Sequence, residues 1–194
     1  MNDPNEGLGH LIDEFCDRWN HTGAKAYIAP WGTEGLFQSL RDVWDDLNLG
    51  PSGTVVYWLD DNLEGLPWDN YWTRIAPMMP RRWDAASGLS CAREAAVGLT
   101  GCTFAVAETG SIALTAGPGR GLLPSVLPHT HIVLVDAARI VPTVRDGLRL
   151  LRNDGIPPMA KLITGPSMTA DIEGTLVVGV HGPAQVAAVV YQID

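Results

Sequence analysis

The stretch His131-Ile132-Val133-Leu134-Val135-Asp136 places apolar residues side by side with no polar alternation. The pattern is that of a buried strand. Residues 54–59 and 186–193 read as further strands, rich in β-branched residues. Helical patterns lie between such runs. Leu8, Leu11, Ile12, Phe15 and Trp19 follow the three- and four-residue spacing of one helix face. Leu36, Leu40, Val43, Trp44 and Leu47 mark a second helix, with Thr33 as its expected cap and 48–51 as its stop. Strands alternating with helices predict an α/β fold: a layered, mostly parallel sheet flanked by helices.

The same reading places strands over 26–29, 104–108, 111–115, 162–164 and 175–180. A helix is expected over 87–96. Another is expected from Pro142, with Val144, Leu148 and Leu151 inward. The tight Thr109-Gly110 turn between two strands implies some antiparallel pairing. Residues 60–84, with Pro67, Pro77 and Pro80, read as irregular. Their tryptophans fit either a loop pinned on the core or a lid over a site.

With 194 residues and no repeat or linker, one domain is expected, with an acidic, tryptophan-rich front over 1–86. Residues 1–80 hold four basic and thirteen acidic residues and so carry the whole net charge of −9. That balance argues against nucleic acid, whose phosphates need a basic face. An anionic ligand would be met in the second part, where Arg81, Arg82, Arg93, Arg120, Arg139 and Lys161 lie. No apolar run reaches the roughly 18 residues of a membrane span. The acidic start is the reverse of a signal peptide, so a soluble, cytoplasmic protein is expected. Cys16, Cys91 and Cys102 are odd in number and far apart, and read as buried free thiols rather than a disulfide or metal set.

Three stretches can carry chemistry. In Ala107-Glu108-Thr109-Gly110-Ser111, Glu108 is expected at a strand's carboxyl end, where α/β proteins gather ligands, with two hydroxyls and a permissive glycine beside it. The alternative is a polar hairpin turn and nothing more. In Gly117-Pro118-Gly119-Arg120-Gly121, a glycine loop presents one arginine, without the Gly-Lys-Ser/Thr of a phosphate loop. In 165–183, Gly165-Pro166 breaks the chain, and Ser167 or Thr169 can cap a short helix whose positive end Asp171 and Glu173 would favour. His129 and His131 share one face of a strand, which fits a metal site or a hydrogen-bonded histidine.

Taken together, "AETGSIAL", "LLPSVLPHTHIVLV", "RIVPT" and "ITGPSMTADIEGTLVVGVHGP" resemble the signature blocks of the lactate-utilisation protein C family, the LUD domain. The resemblance covers Leu99 to about Ile193. It implies a fold similar to the NagB/RpiA/CoA-transferase group. It also implies a non-redox role in oxidising L-lactate to pyruvate, with iron–sulfur clusters on partner proteins and no cofactor on this chain. The acidic half would be the docking face for those partners. The pocket it implies comprises Glu108, Thr109, Gly110, Ser111, Gly119, His131, Gly165, Pro166, Ser167, Thr169, Asp171, Glu173, His181 and Gly182. Met168 stands where the family motif usually has arginine, so Arg120 or Lys161 would have to meet an anion instead. The family also often carries Asn near Arg120. The alternatives are a stand-alone enzyme for a phosphorylated, CoA-linked or carboxylate molecule, with Glu108 as nucleophile or base by fold analogy, and a sensor of a small acid.

Overall fold

The computed structural model describes residues 4–50, 53–75, 79–86, 88–153, 155–170 and 176–193. Six parallel strands form the main sheet in the order β1-β12-β7-β4-β2-β3. They are β1 (Lys25–Ile28), β2 (Thr54–Trp58), β3 (Met79–Arg82), β4 (Val97–Thr100), β7 (Thr130–Asp136) and β12 (Gln185–Tyr191). A second sheet has the order β8-β5-β6-β9, from β5 (Phe104–Val106), β6 (Ser111–Thr115), β8 (Ile140–Val141) and β9 (Ala160–Ile163). Its β5–β6 pair is antiparallel, as the Thr109-Gly110 turn requires, and β6–β9 is antiparallel too.

Period-two alternation in the central strands builds two cores. On one face Ile132, Leu134, Ala187 and Val189 meet α2 (Thr33–Asp46) and α4 (Trp68–Ile75). On the other, Val133, Val135, Ala188 and Val190 meet the second sheet and α1 (Pro4–Asn20), which inserts Ile12, Phe15 and Trp19. The outer face of the second sheet is closed by α6 (Val144–Asn153), where Val144 and Leu151 pack on Phe104 and Val106. The chain thus stacks helices, main sheet, second sheet and α6. Among the described residues, no helix is long and apolar enough to cross a membrane.

Several sequence expectations change. The 60–84 stretch is not irregular. It contains α3 (Asp61–Glu64), α4 and β3. Trp68, Tyr71 and Trp72 are buried at helical spacing in one aromatic cluster with Phe37, so they pack as core. Pro67 misled because a proline just ahead of a helix does not disrupt it. β4 (Val97–Thr100) adds a strand that the sequence pattern does not show. It is four residues long and contains a glycine, and it follows α5 (Gly88–Glu94) almost directly. Gly32, not Thr33, caps α2, with φ +91° and its carbonyl accepting from the Leu36 amide. Leu148 faces solvent. α6 starts at Val144 rather than Pro142, because Thr143 caps it. The Thr143 hydroxyl accepts from the Asp146 amide and donates to the Asp146 carboxylate.

The helix expected after Ser167 is instead β10 (Met168–Ala170), paired antiparallel with β11 (Leu176–Val178). A helix-end anion site at Ser167 or Thr169 is therefore lost. Asp171 and Glu173 lie outside the described residues.

Candidate functional site

The connections fix where a crevice must open. From β2 the chain moves outward to the edge strand β3, then returns through α5 to β4 on the other side of β2. The strand order reverses between β2 and β4, and carboxyl ends at such a point diverge. Asp60 follows β2, and Gly101-Cys102 follows β4. Their side chains and backbone meet directly, with the Cys102 amide donating to Asp60 Oδ2 at 3.2 Å. A methyl group on Gly101 would lie 2.2 Å from that oxygen, so only glycine admits the carboxylate here.

Asp60 is 1% exposed. Arg120 from the glycine loop and Arg139 from the turn after β7 each bring a guanidinium nitrogen to 3.6 Å from Asp60 Oδ1. Among the described residues, that oxygen accepts no hydrogen bond. Burial raises the Asp60 carboxyl above its ordinary range, while Arg139, Arg120 and the Cys102 amide pull it down. Arg120 also reaches Asp61 at 3.3 Å and lies 5.9 Å from the Trp58 ring centroid. The indole of Trp58 donates to the Gly121 carbonyl at 2.9 Å, which fixes the loop that carries Arg120. Beside them Tyr191 donates to Asn62, which donates to Asp136. A crevice of about 570 Å³ opens in front of the two guanidinium groups.

The family-motif residues sit elsewhere. Glu108 lies in the β5–β6 turn, beyond the strand end expected for it, and is exposed. Its Oε1 accepts from the Val144 amide at 2.7 Å, so it joins Thr143 in capping α6. Thr109 donates to Ser111, and Ser111 shares a 2.6 Å hydrogen bond with Thr164. Gly110, at φ +58°, packs against the Arg18–Trp19 backbone, and Gly165, at φ +84°, packs against Thr22. Ser167 and Gly182 approach each other, and the Ser167 amide donates to the Pro183 carbonyl. The Ala184 amide bonds to His129 just ahead of β7. These contacts gather Glu108–Ser111, Gly165–Ser167 and Gly182 near the amino ends of β1, β7 and β12. They lie at the opposite edge of the main sheet from Asp60. His181 is exposed, and Gly119 turns the loop that presents Arg120.

His131 joins neither group. It is fully buried between the sheets, bonded through Nε2 to the Thr100 hydroxyl at 2.9 Å, with Nδ1 unpartnered. Burial, with help from the Lys161 charge, holds its pKa down at about 3. Lys161 donates to the Ser125 carbonyl at 3.2 Å, and burial lowers its pKa too. Among the described residues, no cluster of three or more His, Cys, Asp or Glu is arranged to hold a metal. The three cysteines are buried free thiols, and burial pushes Cys16 up to about 12.

Arg120 was named from sequence, and Arg139 only as one of six basic residues. Asp60 was missed. Its signal is a carboxylate just past a strand, which becomes informative only once β4 and the order reversal are known.

The capping role of Glu108 gives a direct expectation. Glu108→Ala should lose about 1 kcal/mol of stability, as helix caps typically do, whereas Glu108→Gln, which keeps an acceptor oxygen, should lose less. Chemical denaturation of both variants checks this, and equal stability of Glu108→Ala and wild type would refute the cap.

Comparison with known proteins places the chain. Residues 90–191 match the family model described as the LUD domain. "Lactate utilization protein C" of Halalkalibacterium halodurans is 34% identical over 193 residues, 95% of this chain and 79% of that protein. The protein of the same name from Anoxybacillus flavithermus is 37% identical over 111 residues, 56% of this chain and 50% of that protein. The matches span about half the length of several of the curated relatives. A crystal structure of a DUF162 family protein from Deinococcus radiodurans shares the fold, with a TM-score of 0.63 at 23% identity over 95% of this chain and 98% of that one.

Proposed function

The chain belongs to the LUD domain family, and from that premise we propose that it serves L-lactate utilisation as a non-redox subunit or accessory protein. In this reading it acts with iron–sulfur proteins that carry the electrons from lactate to pyruvate. The observation that carries the proposal is the alignment of almost the whole chain with a protein named for lactate utilisation.

The donor set supports putting the clusters on partners. Iron–sulfur clusters are commonly held by four thiolates, whereas this chain has three cysteines, all buried and unpaired. A cysteine with its pKa pushed up by burial is a poor ligand and a poor nucleophile. The acidic front supplies the docking surface: Asp13, Glu14 and Asp17 of α1 outnumber Arg18 around a shallow exposed hollow that His10 and His21 also line. In this reading Glu108 holds α6 in place and carries out no chemistry.

Deletion of the gene should abolish growth of the host on L-lactate while leaving growth on pyruvate intact. Complementation with Glu108→Gln should restore growth. Normal growth of the deletion strain on lactate would overturn the proposal, and failure of Glu108→Gln to complement, with the protein present at normal level, would return Glu108 to a chemical role.

A further inference from the structure

The crevice at the carboxyl edge is lined by two kinds of side chain. Arg120 and Arg139 bring guanidinium groups, and Val141, Leu150 and Leu151 bring an apolar wall. We propose that it binds an organic monocarboxylate with an apolar body, the carboxylate held between the two guanidinium groups and the body lying on that wall. This goes beyond the lactate reading and does not depend on it.

Each guanidinium has five N–H donors. Arg120 directs one nitrogen at Asp61 and Asp60, and Arg139 directs one at Asp60 and the Cys102 carbonyl. Both side chains stay about a third exposed and line the crevice, so donors remain for a bidentate carboxylate. Asp60 sits behind them, fully buried, and draws both cations to one point.

Charge at that point selects the ligand class. Two guanidinium groups against one buried carboxylate leave a single positive charge. Asp61 also lines the crevice and accepts from Arg120 at 3.3 Å, but it is 96% exposed, so its ion pair offsets that charge only weakly. A monoanion balances this site, and a multiply charged phosphate overshoots it. The wall argues the same way, since inorganic phosphate or a polyacid gains nothing from Leu150 and Leu151. The volume of about 570 Å³ falls in the ordinary range for small-molecule sites.

The experiment is titration calorimetry on the full chain with hexanoate, L-lactate and inorganic phosphate. Hexanoate is expected to bind saturably and at least tenfold more tightly than lactate or phosphate. Arg120→Gln and Arg139→Gln should each weaken hexanoate at least tenfold, while Arg152→Gln, on the exposed side of α6, should not. Leu150→Asp should remove the preference for hexanoate over lactate. Gly101→Ala should weaken binding with both arginines intact, since its methyl displaces Asp60. Absence of saturable hexanoate binding, equal binding of phosphate or lactate, or indifference to Arg139→Gln would each overturn the proposal. Normal growth of the deletion strain on lactate would leave these binding results unaltered, so the two readings fail separately.

Discussion

Lowering the pH from 7 to 5 is expected to remove about 2 kcal/mol of stability through His131 alone, at 1.36 kcal/mol per pKa unit. The histidine is neutral in the folded protein, where its pKa is held at about 3, against an ordinary 6.5 when unfolded. Below pH 6.5 the unfolded chain takes up a proton that the folded chain refuses. The contribution is therefore complete above pH 6.5 and is lost progressively as pH falls toward 3, to a total of roughly 4–5 kcal/mol. The Lys161 charge deepens the effect, and among the described residues no carboxylate counters it. Asp60 acts in the opposite sense, because a raised carboxyl pKa favours the folded state in acid, so the protein's net loss is smaller than that of His131.

Urea denaturation of wild type and His131→Leu at pH 7.5 and pH 5.0 isolates the residue. Near neutrality the variant should be the less stable, by about 1 kcal/mol for the Thr100 hydroxyl left without its partner. At pH 5.0 the order should narrow or reverse. Parallel losses in both proteins would show that His131 does not set the acid limb. His131→Gln, which keeps a polar group of similar length, serves if the leucine variant does not fold.

Asp60→Ala should cost about 3 kcal/mol, the low end of the range for breaking a buried ion pair. The low end applies because Arg120 and Arg139 remain about a third exposed and regain water. The loss comprises the bond to the Cys102 amide and the charge that holds two guanidinium groups together. Asp61→Ala removes a neighbouring carboxylate that is 96% exposed and should cost less than about 0.5 kcal/mol. Denaturation midpoints of the two variants compare them directly. Similar small effects would mean that Asp60 does not organise the carboxyl edge.

The parallel sheet was legible because its central strands are apolar on both faces, and their alternation sends Ile132 and Leu134 one way and Val133 and Val135 the other. α1 and α2 were legible from their stripes. β4 was not, because Val97-Gly98-Leu99-Thr100 is too short to show a period and is continuous with the pattern of α5. Without β4 the reversal beside β2 is invisible, and so is the reason for a carboxylate at position 60. The motif blocks were legible as a family pattern, but their placement was not. Glu108 looked like a strand end in an α/β sheet, yet its strand belongs to the second sheet and its carboxylate caps α6. Met168 stands where the motif it resembles carries arginine, and the Arg120–Arg139 pair lies at the far edge of the main sheet.

In the proposed role the chain works in lactate utilisation beside iron–sulfur proteins. The most direct test of that role is purification of the native protein from lactate-grown cells without oxygen, with the co-purifying proteins identified by mass spectrometry. Cysteine-rich iron–sulfur partners and L-lactate-oxidising activity are expected in the same fraction. A chain that elutes alone while lactate oxidation elutes elsewhere would contradict that role.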